Sequence, residues 1–314
     1  MDARPVVSFC ATNLNSVDRL PGSLASIERI GEELGLAYEV VVADGPSEDG
    51  ARGFLEEQVR RNPRFHLVTH SARNRGYGRR RAFEASRGRT IVPFDTSLAY
   101  EPEYGGLLES YISLGTDRML FSEVCALSRN SIDAVGGWRD LIGGEDIDLY
   151  SRIVRQYGVI AWPTAAPGSQ SARLSSVARQ LRYVRGSRWR QLRRVYAVQR
   201  DQMIGCDFRV SDLLLFNSAK PATTRLALWF FFTACAIGAH LRGIPPIRAE
   251  KNNYLIFREA LLRSLQSEEY RKLHWAGPPP QLLLTDDEIR YLARASSLWS
   301  ELGKEVERYV GRKD

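Results

Sequence analysis

Three features of the 314-residue chain predict an α/β fold with a mostly parallel central sheet. Short β-branched runs alternate with helix-period segments from residue 6 onward, the rhythm that crossover connections impose on parallel strands covered on both faces. Hydrophobic residues make up 44% of the chain, enough for a substantial core and too many for wholesale disorder. The apolar runs end in polar or charged tips along one edge of the predicted sheet, which is where such sheets bind ligands.

The elements follow in order. Val6–Ala11 is a short apolar run and reads as the first strand. Leu20, Leu24, Ile27, Ile30 and Leu34 then recur at helical spacing, with Gly35 as a C-cap candidate. Tyr38–Ala43 (YEVVVA) is a second strand, followed by a helix with Phe54, Leu55 and Val59 on one face. Phe65–Thr69 is a third strand and residues 77–87 a third helix. Thr90–Phe94 is a fourth strand, and residues 103–114 form a helix carrying Tyr104, Leu107, Leu108 and Tyr111. Residues 117–135 read as two strands, RMLF and EVCALS, and a short helix. After a Gly136-Gly137-Trp138 turn, GGEDIDLYSRIVRQYG is an amphipathic helix with Ile147, Tyr150, Val154 and Tyr157 on one stripe.

Four strand tips fall on one edge. They are Thr12-Asn13-Leu14-Asn15, Asp44-Gly45-Pro46-Ser47, Arg73-Asn74-Arg75-Gly76 and Asp95. Turns are polar in any protein, so one such tip says little, but four together point to a site. Glu145, Asp146 and Asp148 crowd the first turn of the later helix, where acids also complement the helix dipole without any catalytic role.

The second half differs in character. Residues 149–200 contain no Asp or Glu, and nine arginines fall between Arg173 and Arg200 among Leu, Val, Tyr and Trp. Leu226–Leu241 then runs sixteen residues without Asp, Glu, Lys or Arg, flanked by Arg225 and Arg242 and stopped by Pro245-Pro246. A spanning helix needs about twenty apolar residues, so a buried helix, a re-entrant hairpin and an interfacial helix all stay open. Beside the basic segment, contact with an anionic membrane surface explains the run best. The tail, 250–314, reads as two or three amphipathic helices with a Gly-Pro-Pro-Pro break at 277–280 and a capping box at Thr285 and Glu288. The chain therefore divides into residues 1–215, an apolar and membrane-associating segment at 216–248, and a helical region at 249–314.

The net charge of +7 makes an anionic partner plausible. Nucleic acid is not expected, because no binding module is present and the acids at the strand tips would repel a phosphate backbone. The four cysteines are widely spaced with no C-x-x-C pair, and the N-terminus has no signal-peptide layout. Both suggest reduced thiols in a cytoplasmic protein at the inner face of the cell membrane.

Three segments in order resemble family 2 glycosyltransferases. YEVVVADGPSEDG, residues 38–50, is similar to that family's strand and turn V-V-D-D-G-S-x-D-G. NRGYGRRRAFEASRGRTIVPFD, 74–95, resembles the family segment that ends in its first metal-side aspartate. GGWRDLIGGEDIDLYSRI, 136–153, resembles the acceptor-side motif with its E-D pair. The resemblance covers residues 6–158 and implies a GT-A type nucleotide-binding sandwich. It implies transfer from a UDP- or GDP-sugar to an acceptor hydroxyl with inversion, with Mg²⁺ or Mn²⁺ as cofactor and a glycan or lipid-linked acceptor. It places Thr12, Asn15, Asp44, Arg75 and Asp95 at the nucleotide, Asp95 also at the metal, Asp146 as catalytic base and Glu145 beside it.

Two positions depart from the family pattern. Gly45 replaces the second acid after the second strand, and Ser97 replaces the second aspartate of Asp-x-Asp. A single carboxylate with a hydroxyl holds a hard divalent cation weakly. Arginine could instead neutralise the leaving diphosphate, since residues 73–89 carry seven, with Arg73 and Arg75 the expected contributors and the rest a solvated helix face. Two other readings remain: a catalytically impaired scaffold, for which Ser97 speaks, and a sugar-nucleotide nucleotidyltransferase, which TNLNSVDRLPG fits poorly.

Overall fold

The computed structural model describes residues 5–164, 187–244, 251–302, 305 and 308–312. Its centre is a five-stranded sheet in the order β3–β2–β1–β4–β6. The strands β1 (Val7–Asn13), β2 (Tyr38–Asp44), β3 (Phe65–Thr69) and β4 (Thr90–Asp95) are parallel, and β6 (Leu127–Ser128) runs antiparallel to β4. Every residue of β2 is buried, as are all but one of β1 and of β4, which is why these strands are β-branched and apolar on both faces rather than alternating. The register sets Asn13 beside Asp44 and Thr12 beside Asp95, so the polar tips of three strands meet at one edge.

The crossovers are α1 (Leu20–Leu34), α2 (Ala51–Arg61), α3 (Arg75–Ala85) and α4 (Tyr104–Ser113). Helix α1 packs on α4, and α3 lies over β1 and β2. Helix α3 starts two residues earlier than the hydrophobic pattern indicates, because the Asn74 side chain caps it by accepting the Tyr77 N–H at 3.1 Å. Two glycines in its first turn permit unusually close approaches. A Cβ on Gly76 would lie 2.1 Å from the Arg139 carbonyl oxygen, and one on Gly78 would lie 2.0 Å from Thr12 Oγ1. The first contact brings the loop before the E-D helix down onto α3.

That helix is α6 (Glu145–Tyr157), preceded by β5 (Met119–Phe121) and α5 (Arg129–Ala134). The EVCALS strand is shorter than expected. The chain bends at 122–125, where Cys125 Sγ donates to the Ser122 carbonyl; Ala126 bridges back to Leu120, and Leu127–Ser128 pairs with β4. A three-residue strand, β7 (Val159–Ala161), pairs in parallel with β5 and was not legible from the pattern.

Beyond it lie α7 (Arg188–Cys206), α8 (Val210–Phe216), α9 (Ala222–Leu241), α10 (Asn253–Gln266), α11 (Asp286–Ala295) and α12 (Ser297–Leu302). A short parallel pair, β8 (Leu282–Leu284) with β9 (Val310–Arg312), accompanies the tail helices and was also unforeseen. The Thr285–Glu288 capping box is present. Helix α10 packs on α6 and β7, with the Phe257 ring edge-on to Phe121 at 5.2 Å, so the tail shares the core of the sheet domain. Residues 173–186 of the arginine-rich segment and Pro245-Pro246 lie outside the described residues. The four cysteines are unpaired and buried.

Gly76→Ala is expected to lower unfolding stability by about 1–3 kcal/mol, the usual effect of forcing a methyl into a filled contact. Gly22→Ala, where nothing lies within 4 Å, is expected to be neutral or stabilising by up to about 1 kcal/mol. Urea titrations of the two variants against wild type check the contrast.

Candidate active site

The strand tips are knitted together by their own polar side chains. Asp44 is completely buried. Its Oδ1 accepts from Asn13 Nδ2 at 2.8 Å and Ser47 Oγ at 2.7 Å, and its Oδ2 accepts from Arg52 Nε at 3.0 Å. Asn15 sits in the left-handed region at φ 53°. Its Oδ1 accepts the Glu48 N–H at 2.8 Å, and its own N–H donates to Ser47 Oγ at 3.1 Å. Both residues thus bind the β1 loop to the β2 loop. Neither lines the cavity that opens at the tips, whereas their neighbours Asn13, Leu14 and Gly45 do.

That cavity has a volume of about 280 Å³. Thr12, Arg75, Arg79, Asp95 and Glu145 line one side, and Arg194, Val198 and Gln202 of α7 line the other. Arg75 is the hub of the first side. Its Nε lies 2.8 Å from Glu145 Oε1, and its Nη2 lies 3.7 Å from both Asp95 Oδ2 and Asp146 Oδ2. One guanidinium therefore joins the end of β4 to the start of α6.

Arg79 lies one turn further along α3 and is only 5% exposed. Its Nη1 donates to the carbonyl oxygens of Phe94 at 2.8 Å and Cys10 at 3.3 Å, clamping the end of β4 to the middle of β1. Its Nε makes no hydrogen bond and stands 3.6 Å from Asp146 Oδ1. The sequence pattern placed Arg79 on a solvated face. The available signal was its i+4 spacing from Arg75, which puts both on one side of α3. Arg73, in contrast, is exposed and pairs with Glu48.

The carboxylates differ in environment. Burial alone would raise the Asp95 carboxyl, but the Arg75 guanidinium and the hydrogen bonds from Ser97 hold it below its ordinary value. Ser97 reaches Asp95 Oδ1 from both N–H, at 2.9 Å, and Oγ, at 2.7 Å. Glu145 is almost fully buried, and that burial pushes its carboxyl up to about 7 against the pull of Arg75. Asp146 is the most accessible member of the E-D pair at 25% exposure, and its Oδ1 accepts from Trp138 Nε1 at 3.3 Å.

The loop that presents the pair is held at both ends. Gly76 N–H donates to the Leu141 carbonyl at 2.8 Å, and Arg80 grips Asp140 through Nε at 3.1 Å and Nη2 at 3.0 Å. From the other side, completely buried Asp201 of α7 accepts the Ile142 N–H at 2.8 Å and pairs with Arg242 at 2.6 Å.

A divalent cation fits this donor set poorly. Asp95 Oδ1 is taken up by Ser97, its Oδ2 faces Arg75, and the second chelating position is a serine. Among the described residues no group of three or more His, Cys, Asp or Glu side chains converges to hold a metal.

The strand-tip geometry coincides with a sequence match. Residues 8–117 match glycosyl transferase family 2. The matched segment carries the mostly parallel α/β sheet expected of such a domain. The match runs from β1 past α4 and ends before the 136–153 segment, so the placement of Asp146 beside Asp95 comes from the structure.

Among solved structures, the chain is similar to the mannosyltransferase PcManGT from Pyrobaculum calidifontis, solved in complex with GDP-Man and Mn²⁺. Identity there is 15% over 77% of this chain and 89% of that one, at a TM-score of 0.45. S. aureus TarS 1-349 in complex with UDP-GlcNAc is similar at 11% identity over 96% of this chain and 92% of that one, at a TM-score of 0.44. Both likenesses are distant. No curated protein matches the chain.

The raised Glu145 carboxyl gives a pH signature. The folded protein holds that proton up to about 7, whereas an unfolded glutamate releases it near 4.5. Glu145 therefore favours the fold most fully below about 4.5, and that contribution is lost as pH rises to about 7. Urea titrations across this window are expected to show Glu145→Gln gaining stability relative to wild type as pH rises, with no further change above it.

Proposed function

We propose that the protein transfers a sugar from a nucleotide-sugar donor, of the UDP or GDP class, to an acceptor hydroxyl with inversion. The observation that carries this reading is the meeting of Arg75 with Asp95, Glu145 and Asp146, of which Arg75, Asp95 and Glu145 line the cavity at the strand tips and Asp146 adjoins it through Arg75. The nucleoside diphosphate lies along the β1, β2 and α3 tips. Asp44 and Asn15 shape the wall against which the base and ribose rest, and Thr12 and Gly45 form its surface.

Asp146 is the base: it takes the proton of the acceptor hydroxyl as that oxygen attacks the anomeric carbon from the face opposite the diphosphate. The bond from the anomeric carbon to the diphosphate oxygen breaks in the same step, and the leaving charge must be neutralised. Arg75 and Arg79 supply that charge, since a guanidinium fork suits phosphate oxygens and the Arg79 Nε has no hydrogen-bond partner of its own. Asp95 and Glu145 hold the Arg75 fork at the cavity edge until donor arrives. Mg²⁺ or Mn²⁺, if recruited, would be held through Asp95 and the donor's own oxygens. The acceptor is a glycan or lipid-linked hydroxyl presented at the cytoplasmic face of the membrane.

Ser97 also favours a second reading, a scaffold that has lost catalysis. Two measurements separate the two. A thermal-shift panel of UDP-, GDP- and dTDP-sugars is expected to show stabilisation by one donor class, about 2.7 kcal/mol at a hundredfold excess over Kd. Asp146→Asn is then expected to cut transfer by at least about 10²-fold and leave donor affinity within a few-fold of wild type. Loss of donor binding in that variant would make Asp146 a structural residue, and binding without transfer in wild type would favour the scaffold.

A further inference from the structure

Among the described residues, the large exposed apolar side chains are concentrated on two neighbouring helices. On α9, Leu226, Trp229, Phe230, Ile237 and Leu241 are 43–79% exposed, and on α7, Trp189 and Leu192 are 76% and 59% exposed. Single exposed apolar residues are ordinary, but a set of this size on one helix pair marks an interaction surface. Helix α9 is twenty residues long with a mean hydropathy of 1.3, yet only 11% of its apolar window is buried.

The two helices run side by side in the same direction. Tyr196 Oη donates to the Ala234 carbonyl at 3.2 Å, a Cβ on Gly238 would meet Tyr196 Oη and Arg200 Cδ, and Asp201 pairs with Arg242. Carried back two turns, that alignment puts Trp189 and Leu192 at the same end of the pair as Leu226–Phe230. The same end is basic: Arg188, Arg190, Arg193 and Arg225 are all exposed, and α7 has no acid before Asp201.

We propose that the α7–α9 pair docks on an anionic phospholipid bilayer with α9 lying in the plane of the interface. Trp, Phe and Leu side chains enter the headgroup boundary while arginines meet lipid phosphates, the arrangement of an interfacial amphipathic anchor. An in-plane pose follows from how α9 is tied down. Phe232 and Cys235 are buried on the protein side, and Arg242 at its end holds Asp201 and the Asp140 carbonyl. A spanning α9 would have to strip those contacts, leaving buried Asp201 with Arg200 as its remaining cationic partner among the described residues and the Asp140 carbonyl without its Arg242 donor.

The dock also orients the active site. The opposite face of α7 supplies Arg194, Val198 and Gln202 to the cavity wall, so a docked α7 holds the cavity beside the headgroup layer. This surface goes beyond the donor reading and is testable without a donor.

The test is co-sedimentation of detergent-free protein with preformed vesicles, of phosphatidylglycerol mixed with phosphatidylcholine or of phosphatidylcholine alone. Binding to the mixed vesicles is expected, at least tenfold weaker on the neutral ones and weakened by salt. Trp229→Ser with Phe230→Ser should reduce it at least tenfold, and so should Arg188→Gln with Arg190→Gln and Arg193→Gln. Both variants should keep the wild-type melting temperature and circular dichroism. No vesicle binding by wild type would overturn the proposal, whether the face is then covered by a second copy, seen as a dimer in size exclusion, or by the chain's own residues. Equal binding to neutral vesicles, or association obtained only by reconstitution from detergent, would overturn it too, the latter in favour of a spanning helix. Because donor stabilisation is read in a separate assay, either conclusion can fail while the other stands.

Discussion

The guanidinium of Arg75 is the interaction on which the site depends. Residues 75, 95, 145 and 146 come from three separate elements, and among the described residues only this side chain touches all three acids. Its position is a consequence of backbone contact. With no side chain at Gly76, the 139–141 segment can lie against the first turn of α3, and the start of α6 then falls within reach of the β4 tip. A buried carboxylate such as Glu145 would be costly without this partner, and its raised carboxyl can hold a proton, which lessens the negative charge gathered around the guanidinium.

The second constraint is Asp201. It lies in the helical half of the chain, yet its carboxylate accepts the Ile142 N–H of the loop carrying the E-D pair and holds Arg242 at the end of α9. Arg200 pairs with the other oxygen of the same carboxylate at 2.8 Å, so one buried acid ties the loop, α7 and α9 together. This couples the loop that presents Glu145 and Asp146 to the helix pair that carries the exposed apolar face.

Much of the fold was legible in the sequence because its signals are local. The β-branched runs of β1, β2 and β4 and the helical spacing of α1, α4 and α6 can be read from a few residues at a time. The strands β7, β8 and β9 could not be read, since three residues show no period. The apolar run at Leu226–Leu241 is the core of a longer helix that begins at Ala222, because Thr223, Thr224 and Arg225 are tolerated on an exposed first turn. In the site, the polar tips were visible but their directions were not. Asp44 and Asn15, read in sequence as nucleotide contacts, also brace the loops, since their partners Ser47 and Glu48 lie on the turn after β2 and Arg52 in the first turn of α2, a geometry the sequence does not state. Arg79 was hidden among seven arginines, and only the packing of α3 on β1 shows which of them is buried.

The substitution of serine at position 97 concentrates the central question into one choice: whether the departing diphosphate is neutralised by a chelated cation or by arginine. The most direct measurement is the initial rate of sugar transfer by wild-type protein in excess chelator and again with Mn²⁺ restored, using the donor that stabilises it. A rate in chelator within a few-fold of that with Mn²⁺ is the result expected if Arg75 and Arg79 carry the charge. A rate that falls to background in chelator and returns with Mn²⁺ would contradict it.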